Sequence, residues 1–409
     1  MSAQAAQHPV TLVVRDDLER SRVTVFFRLL LAIPHYLWAG LFLVVVAVVV
    51  FLQWWVLLVR GRPAESLHEF TAGFIRYITH VEAYVLLAAN PFPGFFPMSQ
   101  GEYPVDLEFA PPAPQNRWKT AFRLFLAVPA LMISGALMGG GGGGGARGGG
   151  FSAGVGFAAG FLLWWVGVFR GRVPRGLRDL AAYCIGYGAQ AAAYLFLVTD
   201  RYPYTGPNAF VDARDEPPHP VRVTVADDLR RSRVLVLFRL PVAIPHLVWL
   251  LLWGIVAFVA VFLNWLVTLA TGQSPRPFHR FLSAYVRYGT HVWAFVFLVG
   301  NPFPGFVGKP GTYPVDVELP DSEPQRRLVT LFRLVLYVPA LIISGALWGA
   351  AFVAALLGWF VAIVRGEMPD GLRNLGAYAL RYAAQSNAYL YVLTERYPDS
   401  GPRPDPASP

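Results

Sequence analysis

The chain reads as an all-α polytopic membrane protein built from four parallel repeats. Three observations predict it: a composition too apolar for solution, a text that repeats itself, and hydrophobic runs of bilayer length. Of 409 residues, 55% are hydrophobic and only 14% charged, where soluble domains average roughly 45–50% and about 25%. The 12 Trp, 18 Tyr and 30 Phe exclude a disordered chain. Cys184 is the single cysteine and has no intrachain partner, which excludes a disulfide scaffold. A net charge of +9 is accounted for by cytoplasm-facing loops and anionic headgroups. With no basic run interleaved with aromatics, nothing points to nucleic acid.

The repeats come at two levels. FFRLLLAIPH at Phe26 returns as LFRLPVAIPH at Leu237, and NPFPGF at Asn90 returns at Asn301, both displaced by 211 positions. GLRDL at Gly176 returns as GLRNL at Gly371, displaced by only 195, so the first half carries about 15 extra residues. Each half is itself double, because FRL with a proline six positions after the arginine occurs at Arg28, Arg123, Arg239 and Arg333. This gives four repeats, 1–101, 102–218, 219–311 and 312–409, with a Gly-rich insertion at 139–150 in the second.

Within a repeat the order is short strand, interfacial helix and two-helix hairpin. VTLVV near Val10, PVDLEF at Pro104, VRVTV at Val221 and PVDVEL at Pro314 are short β-branched or alternating pieces between turn residues. Asp16 and Asp227 stand where N-caps would start the next helix, and Pro324 fits a first helical turn. From Phe26 to Val59 the chain is almost unbroken apolar for 34 residues, more than the ~20 that span a bilayer. One span plus an interfacial lead-in fits, with the junction at Pro34. The second helix, Leu67 to Ala89 in the first repeat, is amphipathic. We take it to cross, because two crossings per repeat put all four strands on one face, for about eight spans. The Gly-rich insertion reads as a low-complexity expansion looped into water or headgroups. Counting Lys and Arg by side gives twenty against ten, which places the termini inside, and residues 1–22 hold no signal peptide.

The chemistry-bearing residues are few. All eight histidines obey the long repeat, no HExxH or Cys/His cluster is present, and no metal or cofactor is expected. His35 and His246 directly follow the prolines and read as histidines bonded to a carbonyl that proline frees. Neither GxSxG, a P-loop nor a pair of carboxylates beside a base appears, so no catalytic residue is assigned and the chain reads as no enzyme. A polar stripe on the second helices is the candidate site. Arg76 and His80, Arg287 and His291, and Arg381 and Gln385 are matched, and His80, Gln190, His291 and Gln385 fall at one depth. Tyr77, Tyr187, Tyr288 and Tyr382 each precede those groups by three positions. A charge at membrane depth costs at least ~2.5 kcal/mol, so these arginines need a partner, a cavity or the interface. They either glue the bundle or line a pseudo-two-fold cavity for an anionic solute or lipid headgroup.

The set FRLxxxxPH, a long apolar helix, RG or TG before proline, and a terminal LTxRYP resembles the bacterial membrane domain-of-unknown-function family 4389. It stands here as VLFRLPVAIPHLV at Val236, VRGEMPDGL at Val364 and YLYVLTERYP at Tyr389. The second and fourth repeats lack the histidine, and the first and third end in NPFP instead of RYP. The resemblance implies an integral membrane protein and brings no activity, cofactor or site. Scarce lysine beside abundant Arg, Ala, Gly and Pro looks bacterial. The expected protein is a multipass inner-membrane scaffold or assembly partner. Its partners are the lipid bilayer and other membrane proteins, and its small-molecule ligand is unknown. The competing expectation is a transporter or binder of an anionic solute or headgroup.

Overall fold

The computed structural model describes residues 8–96, 99–139, 154–207 and 218–403. The chain divides into two compact units, Met1–Asp212 and Ala213–Pro409. Most of the Gly-rich insertion lies outside the described residues.

Unit 1 runs β1 (Val10–Val14), α1 (Arg22–Arg60), α2 (Glu65–Val85), β2 (Val105–Phe109), α3 (Arg117–Ala121), α4 (Arg123–Met138), α5 (Val155–Arg170) and α6 (Arg175–Leu195). Unit 2 repeats the order as β3 (Arg222–Val225), α7 (Arg233–Leu237), α8 (Arg239–Thr271), α9 (Arg276–Val296), β4 (Val315–Glu318), α10 (Arg327–Leu331), α11 (Arg333–Arg365) and α12 (Asp370–Leu390). The protein is mostly helical, with the four expected strands in place. They pair antiparallel within each unit, β1 with β2 (Val10 opposite Phe109) and β3 with β4 (Arg222 opposite Glu318).

Among the described residues, three helices are long and apolar enough to cross a membrane: α1, α8 and α11. They earn this by mean hydropathies of 2.8, 2.5 and 2.2 over their most apolar windows. The amphipathic helices α2, α6, α9 and α12 are not among them. In each unit by itself the two second helices form the interior, α2 on α6 in unit 1 and α9 on α12 in unit 2, with the long helices and the strand pair packed against them.

Three local expectations are corrected. The helix runs through Pro34, Pro129, Pro245 and Pro339. Where a break exists it falls seven residues earlier, at Phe122, Phe238 and Phe332, just before the FRL arginine. A proline forfeits one hydrogen bond and bends the helix, whereas the arginine is anchored elsewhere, as shown below. Asp16 and Asp227 do not cap helices. Ser21 and Ser232 hold the N-cap positions, while Asp16 and Asp227 take the amides of Leu18 and Leu229 and pair with Arg20 and Arg231. Pro324 precedes helix α10, which starts at Arg327, and sits in a bridge with Gln273.

The two halves of each unit are interlocked. The lead-in of the first half docks on the turn of the second, Arg20 N–H to Gly171 O at 2.8 Å and Val173 N–H to Leu18 O at 3.0 Å. The lead-in of the second half docks on the turn of the first, Gln115 N–H to Gly61 O at 2.9 Å. Unit 2 repeats all of this, with Arg231 to Gly366, Met368 to Leu229 and Gln325 to Gly272. β1 packs on α6 and β2 on α2, so the strands are exchanged as well.

Candidate functional site

The polar stripe of the second helices faces the strand pair. His80 Nε2 lies 2.9 Å from Asp106 Oδ1, and Arg76 Nε lies 3.2 Å from the same oxygen while its Nη2 donates to Leu107 O at 3.1 Å. In unit 2, His291 and Arg287 both lie 3.2 Å from Asp316 Oδ1, and Arg287 donates to Val317 O at 3.0 Å. Burial pulls the Asp106 carboxyl upward, but the His80 contact and the Gly101 and Leu107 amides outweigh it and hold it below its ordinary value.

The glutamines at the same depth do the same work with neutral chemistry. Gln190 donates to Val10 O and accepts from the Tyr204 amide, both at 3.1 Å. Gln385 donates to Val221 O at 3.1 Å and accepts from the Asp399 amide at 3.0 Å. Arg381 donates to Gly401 O at 2.6 Å and Arg403 O at 3.1 Å. The structure thus brings Arg76 together with His80, and Arg287 with His291, each on one aspartate; Arg381 and Gln385 hold the C-terminal segment and β3. A cavity of about 150 Å³ opens beside Asp106 and is lined by Arg15, Glu108, Tyr103 and Gly101. With two carboxylates against one guanidinium, its charge does not suit an anion.

The rings of the histidines after the prolines bond to tyrosine instead of to a freed carbonyl. His35 Nδ1 lies 3.0 Å from Tyr77 Oη, and His246 Nδ1 lies 2.8 Å from Tyr288 Oη. Each ring also stacks on a phenylalanine of the NPFP loop, Phe95 at 4.4 Å and Phe306 at 4.2 Å. The preceding tyrosines of the stripe therefore have a partner on the long helix.

Sequence reasoning missed the strongest polar constellation, the FRL arginines. Among the described residues Arg28, Arg239 and Arg333 are the largest fully buried side chains, and Arg123 is buried as well. Each closes the end of a second helix. Arg28 donates to Tyr84 O (2.8 Å) and Ala89 O (3.0 Å), and Arg123 to Tyr194 O (3.1 Å) and Thr199 O (2.7 Å). Arg239 reaches Phe295 O at 2.9 Å, and Arg333 reaches Tyr389 O and Thr394 O. Every guanidinium also lies 4.2–4.6 Å above an aromatic ring, of Tyr84, Tyr194, Phe295 or Tyr389. The fourfold FRL spacing was the available signal, since an arginine repeated inside an apolar run needs a partner.

A second group completes each clamp. Four residues just past these helices have positive φ although none is glycine: Leu87 (59°), Leu197 (65°), Leu298 (58°) and Val392 (65°). Their carbonyls are held by the lead-in: Arg20 to Leu87 O, Gln115 to Leu197 O, Arg231 to Leu298 O and Gln325 to Val392 O, all at 2.8 Å. Left-handed backbone is costly for bulky side chains and persists only where the surroundings impose it. In the first halves the lead-in is an Asp–Arg pair, and Arg28 and Arg239 approach Asn90 and Asn301. In the second halves Gln115 and Gln325 also accept from Arg123 and Arg333, at 2.8 and 2.6 Å.

The comparisons agree with the fourfold pattern. The model of DUF4389, a domain of unknown function, matches residues 22–97, 150–205, 233–307 and 327–400. The curated proteins hold no match to the chain, and neither do the solved structures.

Proposed function

The chain belongs to the DUF4389 family, and from that premise we propose that it is a membrane-embedded scaffold or assembly partner with no catalytic chemistry of its own. One observation carries this reading: the charges on the candidate stripe are spent on the fold, while the long helices leave apolar rows outside. Arg76, His80, Arg287 and His291 converge on Asp106 and Asp316. The FRL arginines are consumed by main-chain oxygens. Between their ends α1, α8 and α11 expose long apolar rows, such as Leu41, Val44, Val48 and Phe51 on α1. Exposed apolar surface on this scale marks contact with lipid or with other membrane proteins.

Native mass spectrometry of the gently extracted protein, with cross-linking in its membrane, tests the proposal. We expect assemblies heavier than the 45.1 kDa chain, and the same bound small molecules on wild type as on an Arg76→Ala, Arg287→Ala double variant. A stoichiometric anion or lipid lost from the double variant while its fold holds would replace the scaffold by a binder. A solitary chain in the membrane would also end it.

A further inference from the structure

We propose that each unit lies along one leaflet of a lipid bilayer. Its long helices run in the membrane plane with their exposed apolar rows sunk among the acyl chains. The outward faces of the second helices and the strand pair stand on the headgroup side. The inference rests on the membrane reading above and adds to it a disposition, with a single leaflet as the partner.

Length is the first argument. Helix α1 is uninterrupted from Arg22 to Arg60, and its exposed apolar side chains run from Val23 to Val59. Thirty-six rises of 1.5 Å make that row about 54 Å long, against about 30 Å of hydrocarbon. To cross with the whole row in hydrocarbon, the helix would tilt by roughly 55°, beyond the 0–40° that spanning helices adopt. In the plane, the full row is used.

Charge is the second. Glu69 and Arg280 are exposed. Their neighbours Phe70 and Phe281 touch Phe42 and Trp253, at 5.4 and 6.0 Å between ring centres. Phe42 and Trp253 are close to the midpoints of α1 and α8. If those helices crossed upright, Glu69 and Arg280 would be held at the bilayer centre, each at a cost of ~2.5 kcal/mol or more. In the plane, both reach the headgroups, where an amphipathic helix keeps its charged face.

The third argument is where unit 1 is interrupted. Gly139 and Gly154 have adjoining backbones, a Cβ on Gly139 falling 2.6 Å from Gly154 N, so the chain leaves and re-enters the long helix at one point. SGAL at Ser134 and at Ser344 puts that point opposite Gly349, near the middle of α11 and on its exposed side. In a crossing helix the main-chain groups at these two ends would meet hydrocarbon, where nothing satisfies them, whereas in a helix lying at the interface they stand beside the headgroups.

The ends of α1 decide the matter, because one unbroken helix puts them on opposite sides only if it crosses. Ser21→Cys, Arg62→Cys and Glu69→Cys replace exposed residues in the full chain, with the buried Cys184 replaced by alanine. Ser232→Cys and Gln273→Cys repeat the design in unit 2. A membrane-impermeant maleimide is applied to intact cells and to inverted vesicles, on variants that keep the parent's thermal transition. We expect positions 21, 62 and 69 to label from one side, with complete loss of signal from the other, and 232 and 273 to label together. Labelling of 21 and 62 from opposite sides, or protection of 69 from both, overturns the proposal. Release of the protein by alkaline carbonate would instead defeat the membrane reading beneath it, so the two failures are distinct.

Discussion

In unit 2 the stretch from Arg333 to Arg365 is one helix, whereas in unit 1 it is divided between α4 and α5 by the Gly-rich insertion. Around this point the packing also differs. Unit 2 joins Trp293, Trp348 and Phe297, with ring centres 4.8 and 4.9 Å apart, and unit 1 has Glu82, Met138 and Leu86 in those positions. The clamps beneath are nevertheless the same in both units, down to the positive φ of Leu87 and Leu298. The outer helix is thus interrupted in one unit while the helix-end clamp keeps its form in both. The clamp is where the fold is decided, and the exposed row is where variation is cheap.

That contrast breaks if the clamp can be removed cheaply. Arg28→Leu removes the guanidinium from the carbonyl of Tyr84, which keeps the Leu87 amide at 3.2 Å, and strands that of Ala89; an unmet buried acceptor costs about 1–3 kcal/mol, so a loss of about 2 kcal/mol is expected. Arg239→Leu leaves Phe295 O with the Leu298 amide at 3.2 Å and loses only a long contact to Asn301, so its loss is expected to be smaller. Thermal unfolding in detergent reads both, and negligible losses would deny the clamp its role. Next in size is the interruption itself. Deleting residues 140–154 joins Gly139 to Val155 in the register of unit 2 and removes the closure entropy of the loop, about 2 kcal/mol in favour of the folded state. Destabilisation on deletion would mean that the insertion holds unit 1 together.

A smaller effect separates the strand grips. Asp106 is more deeply buried than Asp316, with side-chain exposures of 5% and 16%. Asp106→Asn is expected to cost about 1–2 kcal/mol and Asp316→Asn less, because a buried charge-assisted bond is worth more than a partly hydrated one. Urea or thermal unfolding of the paired variants gives the order, and a reversed order would show that burial is not what ranks the two grips.

Much of this architecture was legible, and what was not has a physical reason. The four strands, the long apolar helices and the register of the insertion follow from periodicity and repeat alignment, which are local properties. Which strand pairs with which was hidden, since the exchange of β1 onto α6 and β2 onto α2 depends on contacts between residues distant in sequence. The junction is expected at Pro34 because proline removes a donor, yet α1 runs through Pro34 unbroken, and in the other three repeats the helix steps at the residue before the buried FRL arginine, whose partners lie far away in the sequence. The stripe of Arg76, His80, Arg287, His291, Arg381 and Gln385 was visible as a face. Its destination was not, because Asp106 and Asp316 sit on strands, and Val221 just before one, far in sequence from those helices.

The weakest contrast concerns pH, and here the two units should agree. His8 and His219 stand in the same place before β1 and β3, each with Nδ1 accepting the amide two residues on, at 3.1 and 3.0 Å. Burial disfavours their charged form and lowers both from the ordinary 6.5 to about 4. The unfolded chain therefore takes up these protons between pH 6.5 and 4 while the folded chain does not, so stability is full above about 6.5 and declines as the pH falls toward 4. His8→Asn keeps an acceptor that can reach the second amide on, in the manner of an Asx turn, and cannot titrate. It should flatten part of the decline, His219→Asn should flatten an equal part, and the double variant should flatten both, as read from unfolding midpoints between pH 4 and 7. A decline that both variants leave intact would assign the acid sensitivity elsewhere, and unequal shares would show that the two units are not the same design at their first strand.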